Sequence, residues 1–516
     1  LPADPLEHIS SAIGNALDDA AREFRIFGPP GTGKTTNLGR QIRRATERFG
    51  RDSVLVTSFS RTAAAELAGR DLTVDPNRIG TLHSHCYHAL GAPEIAEANV
   101  SGWNKENPHL RISPVKRLQR IDGDEPGEDA ADAGIDGDRR LQELNRLRGM
   151  LMPQETWPAA LRDFSTKWSA YKKAHGLLDF CDLIETARRD VRIAPGNPAV
   201  IFADEAQDLN PMQLALIRRW GRHTQYFIVA ADDDQTIYGW CGATPESILD
   251  PEIPEDQKII LRQSYRLPRA VHAVADKLIH QVTRRQEKVY LPRPEDGAFV
   301  RLCSGGWKSP EYGVLKAAMN HLESGQSIMF LASCAYMLQP VISVLRKRGI
   351  PFHNPYRKSN GFWNPLRQNR KGSSTNRILA LLVAHPDYSE QHREWTYGDI
   401  RLWAECLHSR GVLRPGARAR IDASEDLALV TLARLDELLE PAAMKSLLET
   451  FEGDYRQLLT WWRQRLNATF HQRVQFPLEI AMAGGPRTLV ETPKVTVGTI
   501  HSVKGGEADV VFLFPD

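Results

Sequence analysis

The chain has 516 residues, enough for several domains with separate cores, and its 41% hydrophobic and 25% charged composition is ordinary for a globular protein. A formal net charge of +2 provides no global field, so any nucleic-acid contact has to come from local basic surface. The six cysteines (86, 181, 241, 303, 334 and 406) form no CxxC pair, which argues against zinc or iron–sulfur chemistry. No apolar run reaches membrane-spanning length, and a cytoplasmic setting is expected.

The first apolar run, Phe24–Phe27, predicts a strand that leads into "GPPGTGKTT" (28–36), a glycine-rich turn with Lys34 and Thr35 opening a helix. Gly28, Gly31 and Gly33 allow backbone N–H groups to close on phosphate oxygens. Lys34 neutralises β- and γ-phosphates, and the Thr35 hydroxyl suits Mg²⁺. Val54–Val56 predicts a second strand. Residues 91–175 then read as a mostly polar, helix-like insertion, in which 122–138 carries eight acidic residues and no Lys or Arg and reads as a solvated loop. A further strand, Val200–Ala203, runs into "DEAQDLNPMQ", where Asp204, Glu205 and Asp208 crowd its end. Beside a phosphate loop, such carboxylates have work to do: Asp204 to hold Mg²⁺ and Glu205 to act as the base toward water.

Tyr226–Ala230 predicts another strand, ending in "DDDQTIYGWCGA" (232–243), where Gln235 has the reach to contact a γ-phosphate or the attacking water. Four more runs, Ile259–Leu261, Ile328–Leu331, Val495–Ile500 and Val510–Phe514, predict a second sheet. It is interrupted by a helix-like insertion at roughly 379–485 that includes "DLALVTLARLDELL" (426–439). The expected class is α/β with two successive parallel sheets. Basic stretches with aromatics, "RKSNGFWNPLRQNRK" (357–371) above all, add nucleic-acid-compatible surface, as does "RISPVKRLQR" (111–120).

Taken together, these residues resemble the UvrD/Rep/PcrA-type superfamily 1 helicases. The resemblance runs in order through "GPPGTGKTT", "VTSFSRTAAAEL" (56–67), "IGTLHSHCYHAL" (79–90), "GLLDFCDLI" (176–184) and "ADEAQDLNPMQ" (203–213). It continues through "DDDQTIYGWCGA", "LRQSYRLP" (261–268) and "VGTIHSVKGGEADVVFLF" (497–514). It implies two RecA-like motor domains, each carrying a mainly helical inserted domain. The first would comprise 1–90 and 176–257 around an insertion at 91–175, and the second 258–378 and 486–516 around one at 379–485.

By position, the resemblance implies that ATP is held by Gly28, Pro29, Pro30, Gly31, Thr32, Gly33, Lys34, Thr35 and Thr36. Tyr265 would stack on adenine, Arg266 would reach the γ-phosphate from the second motor domain, and Gly505 and Glu507 of "KGGE" would lie at the nucleotide. Catalysis would rest on Lys34, Glu205, Gln235 and Arg266, and Mg²⁺ on Thr35 and Asp204. A single-strand track would be lined by Phe59, His83, Tyr238, Trp240, Thr499 and His501. A motor that ignores sequence needs π-faces for bases and polar donors for phosphates.

The implied function is an ATP-dependent DNA helicase or translocase moving 3′ to 5′ on single-stranded DNA. Its partners would be single strands, single/double-strand junctions, and accessory replication, repair or defence proteins, with a monomer when free. Two rival readings are a DNA-stimulated ATPase that remodels protein–DNA complexes or serves a larger complex without unwinding alone, and an AAA-like nucleotide switch. The chain departs from the family in lacking a glutamine in "LPADPLEHISSAIGNALDDA" and in carrying Cys241 where relatives have arginine. The family's last motif does not precede Asp516, so the natural polypeptide is expected to continue with an arginine-bearing segment.

Overall fold

A computed structural model of the chain describes residues 23–59, 74–114, 136–302, 306–357, 361–368 and 372–514. Most of the acidic stretch 122–138, the second half of "VTSFSRTAAAEL", and parts of both basic stretches lie outside the described residues. The chain divides into two compact units, Leu1–Val300 and Arg301–Asp516. Among the described residues, no helix is long and apolar enough to cross a membrane.

In the first unit a parallel sheet contains β1 (Glu23–Phe27), β2 (Val54–Ser58), β3 (Ile79–Thr81), β4 (Val200–Asp204), β5 (Tyr226–Ala231) and β6 (Lys258–Ile260). Their spatial order is β3-β2-β4-β5-β1-β6. A parallel sheet is covered on both faces, which is why its strands are continuous apolar runs rather than alternating ones. Every residue of β2, β4 and β5 is buried. Neighbouring side chains along a strand serve opposite cores. Phe24, Ile26, Val56, Phe202 and Ile228 pack with Leu38 and Ile42 of α1 (Lys34–Phe49). Leu55, Ile201, Phe227 and Val229 pack with Leu183 of α2 (Phe180–Asp190) and with Ile217 and Trp220 of α3 (Pro211–Gly221). In this register Phe27 stands level with Ala231, and Ser58 with Asp204, so these strands finish along one edge.

The assignment of Ile259–Leu261 to the second sheet is corrected. Arg25, Ile26 and Phe27 pair with Lys258, Ile259 and Ile260, and the Leu261 N–H donates to Phe27 O at 2.8 Å, so β6 closes the open side of β1. A strand of three residues carries no signal for which of two parallel sheets it joins. The second unit holds the other predicted runs as β7 (Ile328–Ala332), β9 (Val495–Thr499) and β10 (Val510–Phe514). A two-residue strand too short to predict, β8 (Phe352–His353), completes the parallel order β10-β7-β9-β8.

Between β7 and β9 lies a helical region whose core includes Trp395, Trp403, Trp461 and Trp462. Within it, "DLALVTLARLDELL" forms only the five-residue helix Leu432–Asp436. Leu429 is instead bridged to Thr396 in extended conformation, and Thr431 caps the helix by accepting from Arg434 N. The leucine periodicity is therefore divided between two bridges, at Leu429 and Leu439, and a short helix, with Leu427 left 87% exposed.

Between β3 and β4 of the first unit, helices Ser101–Glu106, Asp136–Gly149 and Ala159–His175 enclose a core of Trp103, Phe164 and Trp168. An ion network joins this core to α2. Asp179 caps α2 by accepting from Asp182 N and also takes the Trp168 indole N–H at 3.0 Å. Arg148 reaches Asp179 at 3.1 Å and Asp182 at 2.6 Å, while Lys172 contacts both carboxylates. Burial alone would raise the Asp179 carboxyl, but Arg148 and Lys172 hold it well below the usual carboxylate range. Removing one cation from such a cluster leaves buried negative charge without its full compensation. Lys172→Met is expected to cost about 3 kcal/mol, read from equilibrium urea unfolding. Lys167→Met, which breaks an exposed pair with Asp163, should cost less than about 0.5 kcal/mol.

Candidate functional site

The turn after β1 opens with the Gly28 N–H donating to Ala231 O at 3.1 Å, which joins the loop to the end of β5. Pro29 and Thr32 are buried, and the Thr32 hydroxyl donates to Pro29 O at 2.8 Å. Gly31 and Gly33 have φ of 74° and 77°, a left-handed conformation that favours glycine. Gly33 is the N-cap of α1, so Lys34, Thr35 and Thr36 form its first turn. The first backbone N–H groups of a helix point out along its axis, and the helix dipole adds positive potential. The loop and helix start have the geometry and charge that suit an anion, with Lys34 buried and Thr35 half-buried.

Across the same edge, β4 delivers Asp204, which is 1% exposed. Glu205 follows with φ 51° and ψ 38°, a left-handed geometry unusual outside glycine that turns its side chain from strand to site. Its Oε1 lies 3.3 Å from Lys34 Nζ, and its Oε2 accepts from Gln207 Nε2 at 2.5 Å. Burial would depress the Lys34 ammonium, yet Glu205, Asp232 and Asp204 together hold it above its usual value. Gln207 Oε1 accepts from the Asp232 N–H at 3.0 Å, and Asp232 Oδ2 accepts from Gln235 Nε2 at 2.5 Å. A continuous polar chain therefore runs from Lys34 through Glu205, Gln207 and Asp232 to Gln235. Gln207, which is fully buried, was not singled out from sequence; an amide inside an acidic run was its only signal there.

Residues 264–266 lie against the loop from the same compact unit, so the expectation that Arg266 arrives from the second unit is corrected. The Tyr265 N–H donates to Gly31 O at 2.8 Å, and the hydroxyls of Ser264 and Tyr290 donate to Pro30 O at 3.0 and 2.6 Å. Tyr265 is left 73% exposed beside the loop and Arg266 is half-buried. Ser264 and Tyr290 were missed because neither residue type nor spacing marks a hydroxyl that straps a turn.

Phe59, directly after β2, brings its ring within 4.9 Å of Tyr238, which in turn meets Trp240 edge-on at 6.3 Å. Tyr238 is 4% exposed and so supports its neighbours from below, while Phe59 and Trp240 are half-buried. His83 has its ring edge-on to Phe180 at 6.2 Å. Desolvation pushes its imidazole down to about 4, so at neutral pH it is an uncharged hydrogen-bonding group. Thr499, His501, Gly505 and Glu507 belong to the second unit. Thr499 ends β9 fully buried and accepts from Ser502 N at 3.2 Å; His501 is half-buried, and Gly505 (φ 82°) and Glu507 are exposed.

Residues 138–253 match the family of the UvrD/REP helicase N-terminal domain, a span that covers β4, Glu205, Gln235 and the Tyr238–Trp240 pair. The chain is 25% identical over 303 residues to the "Putative ATP-dependent DNA helicase YjcD" of Bacillus subtilis, covering 54% of this chain and 39% of that protein. It is 24% identical over 387 residues to the "ATP-dependent DNA helicase PcrA" of Staphylococcus aureus, covering 69% of this chain and 51% of that protein. The chain thus spans about half or less of the length of these relatives.

The loop geometry separates two glycine substitutions. A Cβ on Gly33 would meet nothing closer than Thr36 at 4.0 Å, whereas one on Gly31 would come within 2.4 Å of Arg266 Cβ and 2.9 Å of Ser264 Oγ. Gly33→Ala should therefore cost only the left-handed backbone penalty, about 1–2 kcal/mol. Gly31→Ala should cost clearly more and release the 264–266 segment, as read from thermal unfolding and from hydrogen exchange at the Tyr265 amide.

Proposed function

We propose, from the premise that the chain belongs to the UvrD/Rep/PcrA-type superfamily 1 helicase family, that it is an ATP-dependent DNA helicase or translocase moving 3′ to 5′ on single-stranded DNA. The two parallel α/β units are read as its RecA-like motors, with 91–175 and 379–485 as inserted domains. Single strands and single/double-strand junctions are its partners, and the cytoplasm its setting. The observation that carries the reading is the pairing of Lys34 with Glu205, at 3.3 Å, between a glycine-turned helix start and the end of a buried strand.

The residues fit the substrate. Backbone N–H groups of the loop and helix start and the Lys34 ammonium would receive the phosphates, Tyr265 offers an exposed ring for the base, and Arg266 supplies a cation beside Gly31. Mg²⁺ would be held by Thr35 and Asp204, hard oxygen donors suited to a cation that keeps several waters, and would offset charge on the transferring phosphoryl group. Glu205 is then the base that takes a proton from water, and Gln235 aligns that water or the γ-phosphate. Phe59 and Trp240 present rings to stacked bases, backed by Tyr238.

Glu205→Gln keeps shape and hydrogen bonding but removes the base. ATP binding should survive while turnover drops by about 10²-fold or more, whereas Lys34→Ala should weaken nucleotide binding itself. Near-normal turnover in Glu205→Gln would remove that residue from its role. Unwinding assays on duplexes with 3′ or 5′ single-stranded tails decide the direction, and activity on 5′ tails alone would reverse it.

Phe59→Ala and Trp240→Ala should each lower single-strand affinity by about 1–3 kcal/mol with little dependence on sequence. Binding to labelled oligonucleotides of mixed and homopolymer sequence measures this. Normal affinity in both folded variants would exclude the aromatic cluster as the track.

A further inference from the structure

The segment after helix Arg269–Ile279 returns to the site and makes contacts that the proposed reaction has not used. Lys288 has a fully buried side chain, with Nζ 3.1 Å from Asp232 Oδ1, 3.0 Å from Asp234 Oδ2, and in contact with Asp233. Arg285 pairs with both oxygens of Asp234, at 2.9 and 2.6 Å, and the Gln286 N–H donates to Asp233 Oδ2 at 2.7 Å. Two residues beyond Lys288, the Tyr290 hydroxyl holds Pro30 O in the phosphate loop. A short stretch of chain therefore grips the loop after β1 and the acidic end of β5 together.

We propose that Lys288 is a positioning residue for Gln235, acting through Asp232 to fix which end of the Gln235 amide faces the γ-phosphate and attacking water. Asp232 has two oxygens with different tasks. Oδ1 takes Lys288 and, at 3.3 Å, the Asp234 N–H, while Oδ2 takes Gln235 Nε2 at 2.5 Å, which turns the amide oxygen of Gln235 away from the carboxylate. An amide can flip end for end at little steric cost, so only its hydrogen-bond partners set its direction. Asp232 can serve as that fixed acceptor because its other oxygen is tied to a buried ammonium, with the longer Asp234 N–H bond beside it. Burial alone would depress Lys288, but Asp232, Asp233 and Asp234 hold it above its usual value, so the tie persists at neutral pH.

The inference rests on the reading of Gln235 as a contact to the γ-phosphate or attacking water, and a double-mutant cycle on binding tests the two separately. The full chain would be assayed for equilibrium affinity toward a non-hydrolysable ATP analogue and toward ADP, each with Mg²⁺, giving a triphosphate-to-diphosphate ratio. Gln235→Ala should lower that ratio about tenfold, the loss of one hydrogen bond to a charged group. Lys288→Met should lower it by a similar factor while ADP affinity changes little, and the double variant should be no worse than Gln235→Ala alone.

An unchanged ratio in Gln235→Ala would overturn the reading of Gln235. A lowered ratio there with an unchanged ratio in Lys288→Met, or losses that multiply in the double variant, would overturn the role of Lys288 alone. Should Lys288→Met fail to fold, the same comparison is made in Lys288→Met with Asp233→Asn, which removes one of the carboxylates left uncompensated. Failure of both to fold would make Lys288 a structural counter-ion and overturn the proposal.

Discussion

Carboxylates gathered at the edge of a parallel sheet can remain there only if cations face them, and this constraint organises the first unit. Asp204, Asp232 and Asp233 are all buried, with Glu205 and Asp234 close behind. Each would cost several kcal/mol if left without compensation. The cations come from distant parts of the chain: Lys34 from the turn after β1, Arg285 and Lys288 from beyond β6. To deliver the latter two, residues 284–290 must fold back over the end of β5, and that path sets Tyr290 and Ser264 on Pro30. Charge balance thus accounts for Tyr265 and Arg266 lying at the loop within the first unit.

Much of this was legible because the physics is local. A glycine-turned loop between an apolar strand and a helix has to be written into consecutive residues, as do the strand-end carboxylates that follow Val200–Ala203. Burial on both faces likewise writes itself as unbroken apolar runs. Features decided by distant parts of the chain were not legible. Ile259 joins β1 rather than a later strand because β1 has an open side, which nothing in "KIIL" records. Tyr238 was expected to face DNA but is covered by its neighbours, and the same aromatic residue type would suit either position. Lys288 and Tyr290 sit in "RRQEKVY", a stretch that reads as ordinary charged surface until three aspartates and a proline carbonyl are placed opposite it.

The left-handed backbone at Glu205 belongs to the same logic. A residue continuing β4 in extended conformation would send its side chain back into one of the two cores, where a carboxylate has no partner. The turn at φ 51° costs about 1–2 kcal/mol but brings the carboxylate out to Lys34 on one side and Gln207 on the other. Because Gln207 is also fixed by the Asp232 N–H, the glutamate is held by groups that are themselves held.

That division of labour bears directly on the proposed hydrolysis. Phosphate oxygens entering the loop would compete with Glu205 for the Lys34 ammonium, because a polyphosphate carries more negative charge than a single carboxylate. The exchange affects Oε1 alone, since Oε2 is retained by Gln207. Glu205 would therefore lose its cation without losing its position, and the oxygen released is the one that had faced Lys34 and so the phosphates. A carboxylate whose oxygen is freed from its cation only when substrate draws that cation away would tie proton abstraction to the presence of nucleotide. The residues that make this exchange orderly are the amide of Gln207 and the backbone of Asp232, neither of which performs chemistry.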